Sequence, residues 1–128
     1  MTILDANVFI ALLSEQDALH ERAMQVVEQV SAPILLPEYI FVEILTVLAM
    51  RAGMPKVEKF LSAVVALPIT FLPSSGELLA HSLIMFRKQP GGRLSFPDAA
   101  LLYLSREHDI ITFDKTLERA ITGKKRKQ

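Results

Sequence analysis

Four short apolar runs that alternate with helix-forming segments constrain the fold of this chain more than any other feature. The runs occupy residues 2–4, 33–36, 69–72 and 110–112. Short apolar strands of this kind are typical of parallel strands that are buried on both faces, and strands that alternate with helices indicate βα units. We therefore expect an α/β fold in which a central parallel sheet carries helices on both faces.

Residue types that begin helices stand between these runs. We expect helix starts, in chain order, at or near Asp5, Asp17, Pro37, Pro55, Ser74 and Ser95. Ser74 and Ser95 are each followed three residues later by an acidic residue, which is the spacing of a capping box. A last, short helix is expected over residues 116–121.

The length of 128 residues suits a single domain, which we place at residues 1–122. Hydrophobic residues make up 51% of the chain, so it can bury its own core, and the absence of cysteine excludes disulfides and thiolate sites. The N-terminus does not resemble a signal peptide. The most apolar stretch, residues 39–50, is shorter than the roughly 20 residues that span a bilayer. We expect a cytoplasmic protein without membrane contact.

The charges are unevenly distributed although the formal net charge is zero. Residues 123–128 form a basic C-terminal tail, which we expect to be disordered. It holds four of the 14 basic residues, so the rest of the chain has ten basic against 14 acidic side chains. A candidate nucleic-acid contact surface consists of Arg87, Lys88, Arg93, Lys124, Lys125 and Arg126. The alternative is that the tail is simply a solvated end.

Two aspartates lie where a parallel sheet binds its ligands, at the carboxyl ends of the strands. Asp5 follows the first run, and Asp114 lies two residues beyond the last. Both also have an ordinary explanation as helix caps. Asp98 has one too, because it stands in the reciprocal position of a capping box with Ser95.

Glu43 is harder to explain as a structural residue. It is the only charged residue between Tyr39 and Met50, and its neighbours are apolar. Burying a carboxylate is unfavourable unless it is paired or bound to a metal. The alternative is a polar stripe on the helix that Glu43 shares with Tyr39, Thr46 and Met50.

The four acids together suggest a metal site. Two at strand ends and two on helices can converge on one cleft, and we expect their carboxylates to lie close together. Carboxylates in such a cluster repel one another unless a cation is present. Oxygen ligands without His or Cys select a hard ion such as Mg²⁺ or Mn²⁺, which suits phosphoryl chemistry.

The same residues resemble a known family. Residues 5–9 (DANVF), Glu43 in an apolar helix, residues 94–99 (LSFPDA) and residues 112–115 (TFDK) look like the signatures of the PIN-domain ribonucleases. They stand in family order and at about family spacing over nearly the whole chain. The length and the Thr-Phe-Asp ending are most similar to VapC-type toxins of toxin–antitoxin pairs. Pro97, directly before Asp98, departs from the usual pattern.

This resemblance implies a single Rossmann-like PIN domain with a central parallel sheet of four or five strands. It implies Mg²⁺- or Mn²⁺-dependent cleavage of RNA phosphodiesters, a homodimer and inhibition by a small antitoxin. The residues that match the family's catalytic and metal-binding acids are Asp5, Glu43, Asp98 and Asp114. Asn7 and Thr112 match its supporting polar residues, and we expect Ser95 to support Asp98.

Two other functions remain open from the sequence. Asp5-x-Asn7 after a first strand also resembles haloacid-dehalogenase-like phosphatases, although those need a second aspartate where Asn7 stands. The chain could also be a catalytically silent PIN-like domain that only binds a partner or RNA. The presence of all four acids favours an enzyme.

Overall fold

The computed structural model describes residues 1–31 and 33–126. Its centre is a four-stranded parallel sheet made of β1 (Thr2–Leu4), β2 (Ile34–Pro37), β3 (Ile69–Leu72) and β4 (Asp109–Ile111). The strand order is β3-β2-β1-β4, so the first strand is central and pairs with both β2 and β4. The predicted α/β fold with a parallel sheet is confirmed.

Seven α-helices accompany the sheet in the described residues. They are α1 (Ala6–Leu13), α2 (His20–Glu28), α3 (Glu38–Arg51), α4 (Met54–Ala66), α5 (Gly76–Lys88), α6 (Phe96–Leu104) and α7 (Lys115–Arg126), and a 3-10 turn spans Pro90–Gly92. Helices α1 to α4 pack on one another, and α5, α6 and α7 form a second packed group. Among the described residues, no helix is both long and apolar enough to cross a membrane.

Three helix starts differ from the sequence predictions. Ser75, not Ser74, caps α5, because its side chain accepts the backbone N–H of Leu78. Pro37 ends β2 and precedes α3 rather than forming its first turn. Asp17 accepts the N–H of Leu19 but lies before the helix, which begins at His20. The capping box of Ser95 and Asp98 is confirmed.

The last helix is longer than predicted. It was expected to end at residue 121, but α7 continues to Arg126 and crosses the boundary that we placed at residue 122. Residues 123–126, expected to be disordered, are therefore helical. Leu117 and Ile121 bury one face of α7, and the Lys124 ammonium contacts the Met85 sulfur at 3.3 Å, which extends the packing beyond Ile121. Lys127 and Gln128 lie outside the described residues.

The core fixes the carboxyl edge of the sheet. Ile3 and Leu4 of β1 are almost completely buried, and Val8 of α1 is fully buried. The ring of Phe9 meets the ring of Phe60 edge-on, at 5.6 Å between centroids. Because β1 and the start of α1 are both held in this core, the residue between them, Asp5, has a fixed position.

Candidate active site

Asp5 is the most constrained of the four acids. It follows β1 as the N-terminal cap of α1, and the residue is only 5% exposed. One carboxylate oxygen accepts the N–H of Ala6 at 2.7 Å, and the other accepts the hydroxyl of Thr112 at 2.7 Å. Its backbone N–H donates to the Ile111 carbonyl at 2.9 Å. Asp5 is thus both a helix cap and a part of the link between β1 and β4.

Asn7 and Thr112 link the segments that follow β1 and β4. The Thr112 oxygen also accepts the N–H of Asp114 at 3.0 Å and the amide of Asn7 at 3.4 Å. The Asn7 side-chain carbonyl oxygen accepts the N–H of Phe113 at 3.2 Å. Because Thr112 contacts both Asp5 and Asp114, it sets the position of one acid relative to the other.

Asp98 and Asp114 each accept a hydrogen bond at the start of a helix and also line the cleft. The Ser95 hydroxyl accepts the N–H of Asp98, and Asp98 Oδ2 accepts the N–H of Ser95, both at 3.2 Å. Pro97 occupies the second position of α6 without disturbing this capping box. Asp114 Oδ1 accepts the N–H of Thr116 at 2.8 Å. The second oxygen of each carboxylate receives no hydrogen bond from the described residues.

The four acids line one cleft at the carboxyl edge of the sheet. The cleft has a volume of about 350 Å³. Its lining consists of Asp5, Ala6, Asn7, Ile10, Glu43, Val47, Arg51, Ser95, Asp98 and Asp114. Each acid comes from a different part of the chain, so only the tertiary fold brings them together. Thr112 is buried behind Asp5.

Arg51 is the one charged residue of the cleft lining that was not predicted from the sequence. It lies in the last turn of α3, with an exposed side chain. Glu43, Val47 and Arg51 are four residues apart, a spacing that places them on one face of a helix. That spacing could have identified Arg51 once Glu43 was chosen.

Three of the cleft acids, Asp5, Glu43 and Asp98, have raised pKa values. Burial raises the pKa of Asp5, and the nearby Asp98 and Asp114 raise it further, against the opposing effect of the bonds from Thr112 and Ala6. Burial, together with Asp5 and Asp98, raises the pKa of Glu43 to about 7. The pKa of Asp98 is raised by burial and by Asp114. Such perturbed carboxylates in a cleft are characteristic of functional sites.

Comparison with known families decides the identity of the fold. The family model described as the PIN domain matches residues 2–121, which is nearly the whole chain. The chain belongs to the PIN-domain family. No curated protein sequence gives a significant match.

Two solved structures resemble this PIN domain over most of their length. The VapC20 toxin of Mycobacterium tuberculosis, described as cleaving the sarcin-ricin loop, superposes with a TM-score of 0.84 at 16% identity, covering 94% of this chain and 95% of that one. A toxin–antitoxin complex from Klebsiella pneumoniae superposes with a TM-score of 0.66 at 17% identity, covering 89% and 87%. At these identities, the likeness is one of fold.

The donor set of this PIN domain fits a hard divalent cation. Every acidic ligand candidate in the cleft offers oxygen, and a cation would favour the ionised carboxylates that burial now disfavours. However, no three acidic or histidine side chains in the described part of the chain are close enough to enclose an ion. The acids share a cleft without forming a closed cage. The expectation that all four carboxylates lie close together is therefore not met in the described part of the chain.

The predicted basic surface is only partly assembled. Lys88, Arg93 and Lys124 line a second groove, together with Arg119, which the sequence analysis missed. Arg87 is exposed near the end of α5 but is not part of the groove lining. The backbone of residues 125 and 126 (Lys125, Arg126) belongs to α7.

Proposed function

We propose that this PIN domain is a metal-dependent endoribonuclease that hydrolyses RNA phosphodiester bonds. The observation that carries the proposal is the convergence of Asp5, Glu43, Asp98 and Asp114 on one cleft. A structural cap or a polar stripe explains each acid singly, but neither explains why all four line the same cleft. Folding four carboxylates toward one another opposes stability unless a cation or substrate compensates.

Each acid has a distinct role in this proposal. Asp5, Asp98 and Asp114 are the metal ligands, directly or through water, and Glu43 ligates the ion or orients the attacking water. When bound, Mg²⁺ or Mn²⁺ supplies Lewis-acid polarisation of the phosphodiester and lowers the pKa of a water. Asn7 and Thr112 hold Asp5 in place by donating to its Oδ2 at 3.5 and 2.7 Å, and the Ser95 hydroxyl holds Asp98 by accepting its N–H.

Arg51 complements the acids. Its guanidinium is a cation in a cleft that otherwise collects negative charge, at the end of the helix face that carries Glu43. A guanidinium is well suited to bind a phosphate through paired hydrogen bonds. We assign Arg51 to contact a phosphate of the bound RNA.

We further propose that the protein is the toxin of a toxin–antitoxin pair, acts as a homodimer and is inhibited by a small antitoxin. The fold shared with VapC20 and with a toxin–antitoxin complex supports this. Helix α5 also exposes apolar side chains that a second copy would cover, namely Leu79, Leu83, Ile84 and Phe86. Expression of the wild type should arrest growth, and co-expression of a neighbouring antitoxin gene should relieve the arrest.

A cleavage assay tests the enzymatic proposal. Total RNA is incubated with the protein in Mn²⁺ or in EDTA, and Asp98→Asn is compared with Asp109→Asn. The asparagine of the Asp98→Asn variant keeps an oxygen that can accept the N–H of Ser95, so this variant should fold. The Asp5→Asn variant is less suitable, because both oxygens of Asp5 accept hydrogen bonds and the amide nitrogen would replace one of them. Asp109 is an exposed acid at the opposite end of β4, which makes it the matched control.

We expect cleavage in Mn²⁺ by the wild type and by Asp109→Asn, and none in EDTA or by Asp98→Asn. Losing a residue that supports a metal ligand typically costs roughly 10- to 100-fold in affinity or activity, so loss of a ligand itself should lower the rate at least roughly 100-fold. A folded wild type that binds RNA but cuts none would instead support the catalytically silent domain. Cleavage by Asp98→Asn at the wild-type rate would show that the acid cleft does not take part in the reaction.

A further inference from the structure

A second groove of about 560 Å³ lies between α5, α6 and α7. Four cationic side chains line it: Lys88 on α5, Arg93 on the loop before α6, and Arg119 and Lys124 on α7. No acidic residue belongs to the lining. The described part of the chain also contains no salt bridge that involves any of the four. The groove therefore gathers positive charge from three separate elements without a protein counter-charge.

Lys124 lies close enough to other cations to be affected by them. Burial lowers the pKa of Lys124, and the nearby Arg106 and Lys88 lower it further. This mutual repulsion is a local feature, because the whole chain has a formal net charge of zero. Like charges held together in this way are destabilising until an anion binds them.

The loop that carries Arg93 is held in place. The Gln89 side chain donates to the Leu94 carbonyl at 2.8 Å and accepts the Leu94 N–H at 2.7 Å. Between them, Gly91 and Gly92 adopt positive φ values of 80° and 60°, which favour glycine. These contacts fix the backbone beside Arg93, so the cation projects from a defined turn.

Residues that line the groove and residues that line the acid cleft lie on, or directly before, the same two helices. Asp98 lies in the cleft, and Leu102, one turn later on α6, lines the groove. Asp114 lies in the cleft, and Thr116, at the start of α7, lines the groove. Helices α6 and α7 thus both begin at the acids and then form walls of the groove. A chain bound in the cleft that continues in this direction would meet the four cations.

We propose that this groove binds the phosphate backbone of single-stranded RNA on one side of the scissile bond. The inference rests on the proposed ribonuclease function and names the surface that holds its substrate. The lining contains aliphatic side chains such as Met85, Leu94 and Leu102 but no aromatic ring. Since stacking on aromatic rings is the usual way to hold unpaired bases, the groove should bind RNA with little sequence preference.

An acidic peptide is the rival occupant. Its carboxylates would also pair with the cations, and its apolar side chains would pack against the aliphatic lining. The placement of the groove along the same two helices as the acid cleft favours RNA, since a polyanion that enters the cleft as substrate must leave it along a neighbouring surface. Binding of an acidic peptide in place of RNA is therefore the alternative outcome of a binding experiment.

The test measures binding of a fluorescein-labelled uridine RNA of about 12 nucleotides in EDTA, which separates binding from cleavage and is long enough for one single-strand binding surface. Lys88→Gln, Lys124→Gln and the double variant are compared with the wild type at several salt concentrations. Lys59→Gln is the matched control, because Lys59 is exposed on α4 and does not line the groove. Thermal melts establish that each variant is folded.

Each lost phosphate contact should reduce the salt slope by about 0.7, which corresponds to about fivefold weaker binding at roughly 0.1 M salt. The double variant should bind about 25-fold more weakly, and Lys59→Gln should change affinity less than about twofold. Groove variants that bind RNA with the affinity and the salt dependence of the wild type would overturn the inference. So would an unchanged RNA affinity combined with lost binding of a poly-glutamate probe, which would assign the groove to an acidic peptide.

The same samples are assayed for cleavage in Mn²⁺, so that the two proposals fail separately. Groove variants that lose RNA binding while the wild type cleaves nothing would support the groove and contradict the ribonuclease. If the wild type cleaves RNA and the groove variants bind it as tightly as the wild type, the ribonuclease is supported and the groove is contradicted.

Discussion

Replacing Glu43 with glutamine should stabilise the metal-free protein above neutral pH. Burial and the neighbouring Asp5 and Asp98 raise the pKa of Glu43 from 4.5 to about 7 in the folded state. Between these pH values, the folded state binds a proton that the unfolded state has lost, so wild-type stability falls as pH rises. Below pH 4.5 the side chain is neutral in both states, and the effect disappears.

The size of this effect follows from the pKa change. A rise from 4.5 to about 7 corresponds to at most about 3.4 kcal/mol. Glu43 is only half buried, and solvent screening reduces this limit to about 1.5 kcal/mol. For a domain of this length, that difference shifts the melting temperature by roughly 5 °C. Glutamine keeps the size of the side chain, so packing changes little.

Thermal unfolding of both proteins in EDTA, from about pH 4.5 to about pH 8.5, measures the difference directly. We expect Glu43→Gln to melt about 5 °C higher than the wild type at about pH 8 and at nearly the same temperature at about pH 4.5. Glu58→Gln, an exposed substitution on α4, should show no pH-dependent difference. A Glu43→Gln difference that stays constant across this range, or a variant less stable than the wild type at the alkaline end, would refute the reasoning.

Three further predictions concern the residues around the acids. Ser95→Ala and Ser75→Ala should each lose about 1 kcal/mol of stability with their helix cap, but only Ser95→Ala should slow cleavage, because Ser95 holds Asp98. Thr112→Val should lose about 1–3 kcal/mol of stability in thermal melts and most of its cleavage activity, since the Thr112 hydroxyl donates to Asp5 and accepts the N–H of Asp114. Unchanged activity would contradict the positioning role of Thr112. Millimolar Mg²⁺ should raise the melting temperature of the wild type more than that of Asp98→Asn. Equal increases for the two proteins would mean that the ion does not bind at the acid cleft.

The sequence predicted those features that depend on local pattern. The apolar runs indicated the strands, and the position of Asp5 directly after the first run placed it at the carboxyl edge of the sheet. The spacing of Ser95 and Asp98 indicated a capping box, which the structure confirms. These features are recognisable because one short segment contains all the residues that make the contact.

Features that depend on packing between distant segments were not predictable in the same way. The extension of α7 to Arg126 brings Lys124 into contact with Met85 of α5, and no local signal reveals that contact. Arg119 joins Lys88 and Arg93 in one groove only because α5 and α7 both pack near α6. The separation of the four carboxylates within their cleft is likewise set by tertiary packing.

The chemistry of the RNA ends tests the central claim most directly. Water attack at an acid-bound metal site should leave 5′-phosphate and 3′-hydroxyl ends, whereas metal-independent ribonucleases that use the 2′-hydroxyl leave a 2′,3′-cyclic phosphate. We therefore propose to map the ends of RNA cut by the wild type in Mn²⁺, with Asp98→Asn as the control. The account predicts 5′-phosphate and 3′-hydroxyl ends that are absent in EDTA and in Asp98→Asn. Cyclic phosphate ends, or ends that persist in Asp98→Asn, would contradict it.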